Sequence, residues 1–246
     1  MKEAIILAGG QSLRMKPYFK WNKALLKLGE ETLLDYQIRW LIENGFEHII
    51  IATVEETLDK WYKVTTSHPF YDYLDFSLEW KKLGTSGAVL RAGDYLNSDR
   101  VYIMNVDDIL LDFNPNILYD KLERGGIITL HKPKIGFGLV RMRNGLIIRF
   151  QEKPYVKYWV SCGHYLFKKN IIRDYFVEQG DLEKEVLPKL AKEKKLQGYK
   201  YTGKWITINT WKDYIEALKN LNLLSRTEIY SPAFGGYIYE ENKQLY

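Results

Sequence analysis

The sequence predicts an α/β fold: a doubly wound, mostly parallel sheet, with additional antiparallel strands in the C-terminal half. Three observations carry that prediction. Short apolar runs alternate with helical patterns over the first 110 residues, a Gly-Gly turn and an acidic pair each close one of those runs, and from about residue 126 the pattern becomes strand-rich around a hairpin signal.

Taken in order, "AIILA" (4–8) reads as a buried strand, "LLDYQIRWLIENG" (33–45) as a helix with apolar residues three and four apart, and "HIIIAT" (48–53) as the next strand. Gly45 stands where a left-handed residue closes a helix. "VEETLDKWYKV" (54–64) is helical, "LDFSLEW" (74–80) alternates as a strand, "SGAVLRAGDYL" (86–96) is helical, and "RVYIMNV" (100–106) is a buried strand ending in Asp107-Asp108. Parallel sheets of this kind bind ligands beyond the carboxyl ends of their strands, so the loop after residue 8 and Asp107 are expected to face one crevice.

The second half reads as strands at 126–132, 136–154 and 158–167, with Asn144-Gly145 marking a tight hairpin inside the middle segment. A helix is expected at 182–194, strands within 196–208 and an amphipathic helix at 211–222. No linker-like stretch interrupts residues 1–222, which are read as one domain. Residues 223–246, rich in Tyr and Gly and without periodicity, are read as a tail expected to pack on a neighbouring subunit of a homo-oligomer.

Composition narrows the partners. With 46% apolar and 27% charged residues, the 246-residue chain can bury a sizeable core. The formal charge is only +5, its 36 Lys and Arg mixed with 31 Asp and Glu, so no basic stripe that would track nucleic acid stands out. Anionic small molecules suit that balance better. Cys162 is the only cysteine, which excludes an internal disulfide and a Cys-rich zinc site and fits a reducing compartment. No stretch approaches the roughly 18 apolar residues of a membrane span, so a cytoplasmic protein without membrane partners is expected.

The loop "AGGQSLRMKPYFKWNK" (8–23) carries the first chemical signal. Gly9 and Gly10 let backbone N–H groups approach a ligand, and Arg14, Lys16, Lys20 and Lys23 place positive charge nearby, a pattern suited to a phosphate chain. A dinucleotide fingerprint would need G-x-G-x-x-G running straight into a helix. Here Gln11-Ser12-Leu13-Arg14 follow the glycines, and the helix begins some twenty residues later.

Several separated segments, in order, resemble the sugar-1-phosphate nucleotidylyltransferases: "LAGGQSLRM…NKALLKL", "LGTSGA" (83–88), "MNVDD" (104–108), "RFQEKP" (149–154), "SCGHYLF" (161–167), "LEKEVLPKL" (182–190) and "GKWITINTWKDYIEA" (203–217). The likeness covers roughly residues 3 to 218 and is greatest to the heptose-1-phosphate and mannose-1-phosphate guanylyltransferases. It implies a Rossmann-like nucleotidyltransferase fold and a reaction that joins an NTP, with GTP expected from "LGTSGA", to a sugar 1-phosphate. Pyrophosphate leaves, an NDP-sugar forms, and Mg2+ is required.

On that resemblance Ala8, Gly9, Gly10, Gln11, Gly84, Thr85, Ser86 and Gly87 bind the nucleotide, and Lys153, Gly163 and Glu183 bind the sugar phosphate. Arg14, Lys23 and Asp107 are the catalytic set, with Asp107 also holding the metal. The charges suit the chemistry, because the reaction brings two anionic groups together and must neutralise them. The pattern also departs from the family. Ser12-Leu13 replace Gly-Thr, Asn22 replaces Pro, Val106 replaces Gly, Thr207 replaces the second metal-binding Asp, Asn209 replaces the glycine after it, and Trp211 replaces Pro. The neutral Thr207 leaves open a catalytically weak or inactive regulatory homologue that binds the same ligands.

Overall fold

The computed structural model describes residues 1–64 and 70–224, together with two two-residue strands, Tyr230–Ser231 and Gly236–Tyr237, that pair with each other. Its centre is set by the most apolar runs. β1 (Glu3–Leu7) lies between β2 (His48–Thr53) and β4 (Arg100–Asn105), parallel to both, and β3 (Leu74–Leu78) extends the sheet beyond β2. Because side chains alternate across a strand, Ala4 and Ile6 enter one core and Ile5 the other. Both faces are therefore covered. α1 (Leu33–Glu43), α2 (Glu55–Val64) and the short α4 (Asn116–Lys121) supply Leu33, Ile38, Trp61 and Leu118 to the first core, whereas α3 (Gly84–Ala92) supplies Val89 and Ala92 to the second.

The sheet grows on its other side by β6 (Gly126–His131), β9 (Val160–Lys168) and β10 (Leu196–Lys200), giving the order β10-β6-β9-β4-β1-β2-β3. β9 alone runs antiparallel to its neighbours. Two smaller pairings complete the second half: β5 (Asp108–Leu110) with β11 (Trp205–Thr207), and the ribbon of β7 (Leu139–Arg143) with β8 (Leu146–Gln151). α5 (Lys169–Tyr175) and α6 (Leu187–Lys192) join the face of α3, and α7 (Trp211–Asn220) joins that of α1. The expected doubly wound, mainly parallel sheet with added antiparallel strands is the fold found.

Local signals held where chemistry forced them. Gly45 closes α1 at φ +81°, and Asn144 and Gly145 make the β7–β8 turn at φ +49° and +77°. Thr32 and Thr210 each cap a helix reciprocally with an Asp three residues on. The expected helix 182–194 is instead a wide turn over 182–186 leading into α6. Pro188 has no N–H for the carbonyl four residues back, so the chain cannot continue one regular ladder through this point. α4 and α5 were not anticipated; at six and seven residues they are too short to show a helical period.

Leu223 and Leu224 pack against the first core. The expected contact of residues 223–246 with a neighbouring subunit otherwise falls on residues largely outside those described. Among the described residues no helix is long and apolar enough to cross a membrane.

At the N-terminal edge of the sheet, the buried Glu3 carboxylate accepts hydrogen bonds from the N–H groups of Asn97 (2.9 Å) and Ser98 (2.6 Å) and sits 2.8 Å from His48 Nδ1. His48 Nε2 lies 2.8 Å from Asp75. Burial alone would lower the imidazole pKa, but the two carboxylates outweigh it and the net shift is upward. The stabilisation is therefore fully present below the unfolded value of about 6.5 and is lost as pH rises through the higher folded value. Chemical denaturation of wild type and His48→Asn should differ by about 2 kcal/mol at pH 6 and converge at alkaline pH.

Candidate active site

The loop after β1 is held shut by its own polar side chains. Ala8 donates its N–H to Ala52 O at 2.8 Å, and its carbonyl accepts from Asn22 Nδ2 (2.7 Å) and Thr53 Oγ1 (3.2 Å). Asn22 Nδ2 also reaches Gly10 O at 2.9 Å, and Asn22 Oδ1 accepts from Ala24 N–H. One amide thus staples the two ends of the loop. Ser12 stands at φ +50°, where glycine is usual in the resembled family, and its hydroxyl accepts from Lys23 N–H at 2.8 Å. Among the described residues the N–H groups of Gly9, Gly10 and Gln11 have no hydrogen-bond partner. A Cβ on Gly9 would lie 2.6 Å from Glu79 Oε1, so glycine lets this turn pass close to the carboxylate without displacing it.

A second wall comes from the start of α3. Thr85 Oγ1 accepts the Leu182 N–H at 2.7 Å and donates to Glu183 Oε2 at 3.2 Å, which ties this helix to the 182–186 turn. Gly84 has φ +77°, and a Cβ there would overlap the Gly180 carbonyl.

The third wall is the end of β4. Lys23 Nζ forms an ion pair with Asp107 Oδ2 in which both side chains are largely buried. The residues around Asp107 are clamped: Gln37 Nε2 donates to the carbonyls of Val106 and Asp108, each at 3.0 Å, and Ile208 N–H donates to Asp107 O at 2.9 Å. Asp108 points elsewhere. Its carboxylate accepts from Asn105 Nδ2 (3.0 Å) and Trp205 Nε1 (2.8 Å), and from Thr207, its cross-strand partner. Burial, and then the charge of Asp107, push its pKa up to about 7 despite those donors. Behind it, His164 lies with Nε2 3.0 Å from Asp108 O and Nδ1 2.6 Å from Tyr102 Oη. Burial holds its pKa down at about 4, so the ring is neutral.

These walls enclose one cavity of about 270 Å³, lined by Gly9, Gly10, Lys23, Glu79, Gly84, Thr85, Asp107 and Glu183 among others. Segments far apart in sequence thus converge at the carboxyl ends of parallel strands. Over residues 3–223 the chain matches the family described as Nucleotidyl transferase. The chain belongs to that family. It is 27% identical over 228 residues to a mannose-1-phosphate guanylyltransferase catalytic subunit beta of Drosophila pseudoobscura pseudoobscura, covering 87% of this chain and 61% of that protein. It thus spans about three fifths of the length of that relative. The crystal structure of HddC from Yersinia pseudotuberculosis superposes with a TM-score of 0.72 at 20% identity, covering 90% of this chain and all of that one. A putative glucose-1-phosphate thymidylyltransferase from Bacillus anthracis does so at 0.70 and 21%, covering 89% and 95%.

Within this member of the family, the expected residues divide. Gly9, Gly10, Lys23, Gly84, Thr85, Asp107 and Glu183 meet at the cavity; Gln11 faces a wider basin that adjoins it. Ala8 corrects the expectation, since its N–H is spent on β2 and its carbonyl on Asn22 and Thr53. Ser86 is fully buried, donating to Val177 O and accepting from Val177 N–H, and Gly87 is glycine because a Cβ would strike the Glu178 carbonyl. Both hold α3 to the 177–183 segment instead of facing the cavity. Arg14 is exposed and lies off its wall. Lys153, just beyond the β7–β8 ribbon, is 62% exposed and 3.7 Å from Glu152, away from the cavity.

Gly163, expected at the sugar phosphate, is glycine for a reason within the fold. At φ +73° it sits where β9 shifts register, and a Cβ would occupy the place of the Asp108 carboxylate and the Asn105 amide. The room it leaves is filled by Asp108 and not by open space for a sugar ring. Two departures from the family pattern also acquire a purpose. Asn22 staples the loop, and Trp211 stacks on Tyr18 with centroids 5.5 Å apart, tying the loop to α7. Glu79 is a cavity residue that sequence reasoning missed, as it missed Lys82, Asn105 and Asp181; the one signal for Glu79 is its place just after β3. Gly163→Ala should cost about 2 kcal/mol or more from backbone strain alone, read as a lower denaturation midpoint at unchanged m-value.

Proposed function

We propose that the chain is a sugar-phosphate nucleotidylyltransferase that uses GTP. The observation supporting this reading is the single cavity in which the free N–H groups of the 9–11 turn, the Lys23–Asp107 pair, Glu79 and the Thr85–Glu183 pair face one another. In the reaction a phosphate oxygen of the sugar 1-phosphate attacks the α-phosphorus of GTP. A new P–O bond forms, the bond from the α-phosphorus to the bridging oxygen breaks, and that oxygen leaves on pyrophosphate with its electron pair. The turn N–H groups and Lys23 hold and neutralise the phosphates, while Glu183 accepts from sugar hydroxyls.

Base choice rests on Glu79. Its Oε2 accepts the Leu83 N–H at 3.1 Å, which orients the carboxylate at the cavity wall. Guanine alone among the common bases offers two adjacent donors, N1–H and the 2-amino group, to a pair of carboxylate oxygens; adenine presents an acceptor at N1. Burial raises the Glu79 pKa, so protonation at acid pH would remove this acceptor and weaken GTP binding.

Among the described residues no three acidic, His or Cys side chains gather into a protein-only metal site. A single carboxylate suits Mg2+ that takes its other ligands from phosphates and water, and Asp107 is the residue that would hold it. The ion would supply further neutralisation of the triphosphate. Thr207 favours a second reading, a weak or inactive nucleotide-binding homologue, because its hydroxyl is neutral and engaged by Asp108 and Asn209 Nδ2 (2.9 Å).

Calorimetry with GTP, ATP, UTP, CTP and dTTP in the presence of Mg2+ should place GTP first, and Glu79→Gln should narrow its lead by about tenfold or more, near 1.4 kcal/mol. No binding of any nucleotide would remove both readings. Pyrophosphate release with GTP and a panel of hexose and heptose 1-phosphates separates them. Thr207→Asp should lower the Mg2+ needed for half-maximal rate if the wild type is an enzyme, and a wild type that binds GTP without turnover selects the second reading.

A further inference from the structure

The β7–β8 ribbon breaks the usual relation between pattern and burial. Directly opposed residues share a face, so the pairs Met142–Ile147 and Val140–Phe150 put four apolar side chains on one side. The other side carries Leu139, Arg141, Arg143, Leu146, Arg149 and Gln151, with Arg141 directly opposite Arg149. The sorting depends on a bulge. Between Ile147 and Arg149 the register shifts by one residue, and without that shift Ile147 and Phe150 would face opposite ways. Yet among the described residues the sorted apolar face is left largely uncovered: Val140 is 48% exposed, Met142 and Ile147 61%, and Phe150 62%. A register device that gathers hydrophobic side chains and then leaves them in water calls for a partner.

We propose that this face is a homodimer interface, docking on the same face of a second copy about a two-fold axis. The face bears no charge, so it can meet itself without opposing like charges, whereas the arginine face would repel its own copy. With Phe offering roughly 200 Å² and the aliphatic side chains less, those exposures leave about 400 Å² of mostly apolar surface per copy. Pairing two copies removes about 800 Å², the scale of a weak, concentration-dependent dimer below the about 1,200 Å² at which standard stable interfaces begin. The ribbon is also rooted firmly enough to present that face: Ile135 N–H donates to Pro154 O at 3.0 Å and Val156 N–H to Pro133 O at 2.9 Å.

Sedimentation equilibrium of the full chain over about 1–100 μM, the range in which an interface of this modest size should be populated, tests the proposal. The wild type should sediment as a dimer, and the double substitution Met142→Lys/Phe150→Lys as a monomer with an unchanged far-UV spectrum. Both side chains are solvent-exposed, so folding does not depend on them. As a second measurement, a short bifunctional maleimide should join two copies carrying Ile147→Cys and leave the wild type unlinked, because the native Cys162 is buried. A wild type that is monomeric throughout overturns the proposal, whether the face is covered by the chain's own C-terminal residues or by another protein. So does a dimer that survives the double substitution, or one in which Ile147→Cys gives no cross-link.

Discussion

The Lys23–Asp107 ion pair is the contact on which the geometry of the site depends. One charge comes from the loop after β1 and the other from the end of β4, neighbouring parallel strands whose carboxyl ends share an edge. Two charges taken largely out of water must be held in good geometry to repay their desolvation, and the surroundings do so on both sides. Ser12 receives the Lys23 N–H and Asn22 closes the loop before it; Gln37 fixes the carbonyls on either side of Asp107. The width of the cavity is thus set by backbone contacts that an incoming phosphate leaves in place. The guest would have only to compete for the charges.

How far this was readable from the sequence depended on the range of the forces involved. The apolar runs of β1, β2 and β4, Gly45 and Asn144-Gly145 express local constraints, and each was found where its residues implied. Convergence of Gly9, Gly84 and Asp107 was also legible, since a parallel sheet leaves few other places for three strand-end loops to go. What failed depended on distant partners. Ser86 looked like a ligand because it follows Gly-Thr, but its hydroxyl belongs to Val177, 91 residues away. Lys153 lies between Glu152 and Pro154 in a motif that suggested a phosphate clamp, yet neighbourhood in sequence did not carry it to the cavity. Glu79 gave no motif at all, and only the fold sets its carboxylate against Gly9.

The most informative departure is the exchange of character across one strand pair. Position 207 carries a neutral threonine where the family pattern has an acid, and the residue directly opposite, Asp108, carries an acid. These are not equivalent placements. The Asp108 carboxylate is turned away from the cavity into donors from Asn105, Trp205 and Thr207, and it fits there only because Gly163 lacks a Cβ. With its pKa pushed up to about 7 it is partly protonated at neutral pH, which reduces the negative charge beside Asp107. The wall at the end of β4 then presents one carboxylate, already paired with Lys23, while the cavity's other carboxylates, Glu79, Asp181 and Glu183, stand on its other walls with Lys82. At that wall little anionic charge is left to repel a phosphate, because the Asp108 carboxylate is turned behind the strand and burial raises its pKa.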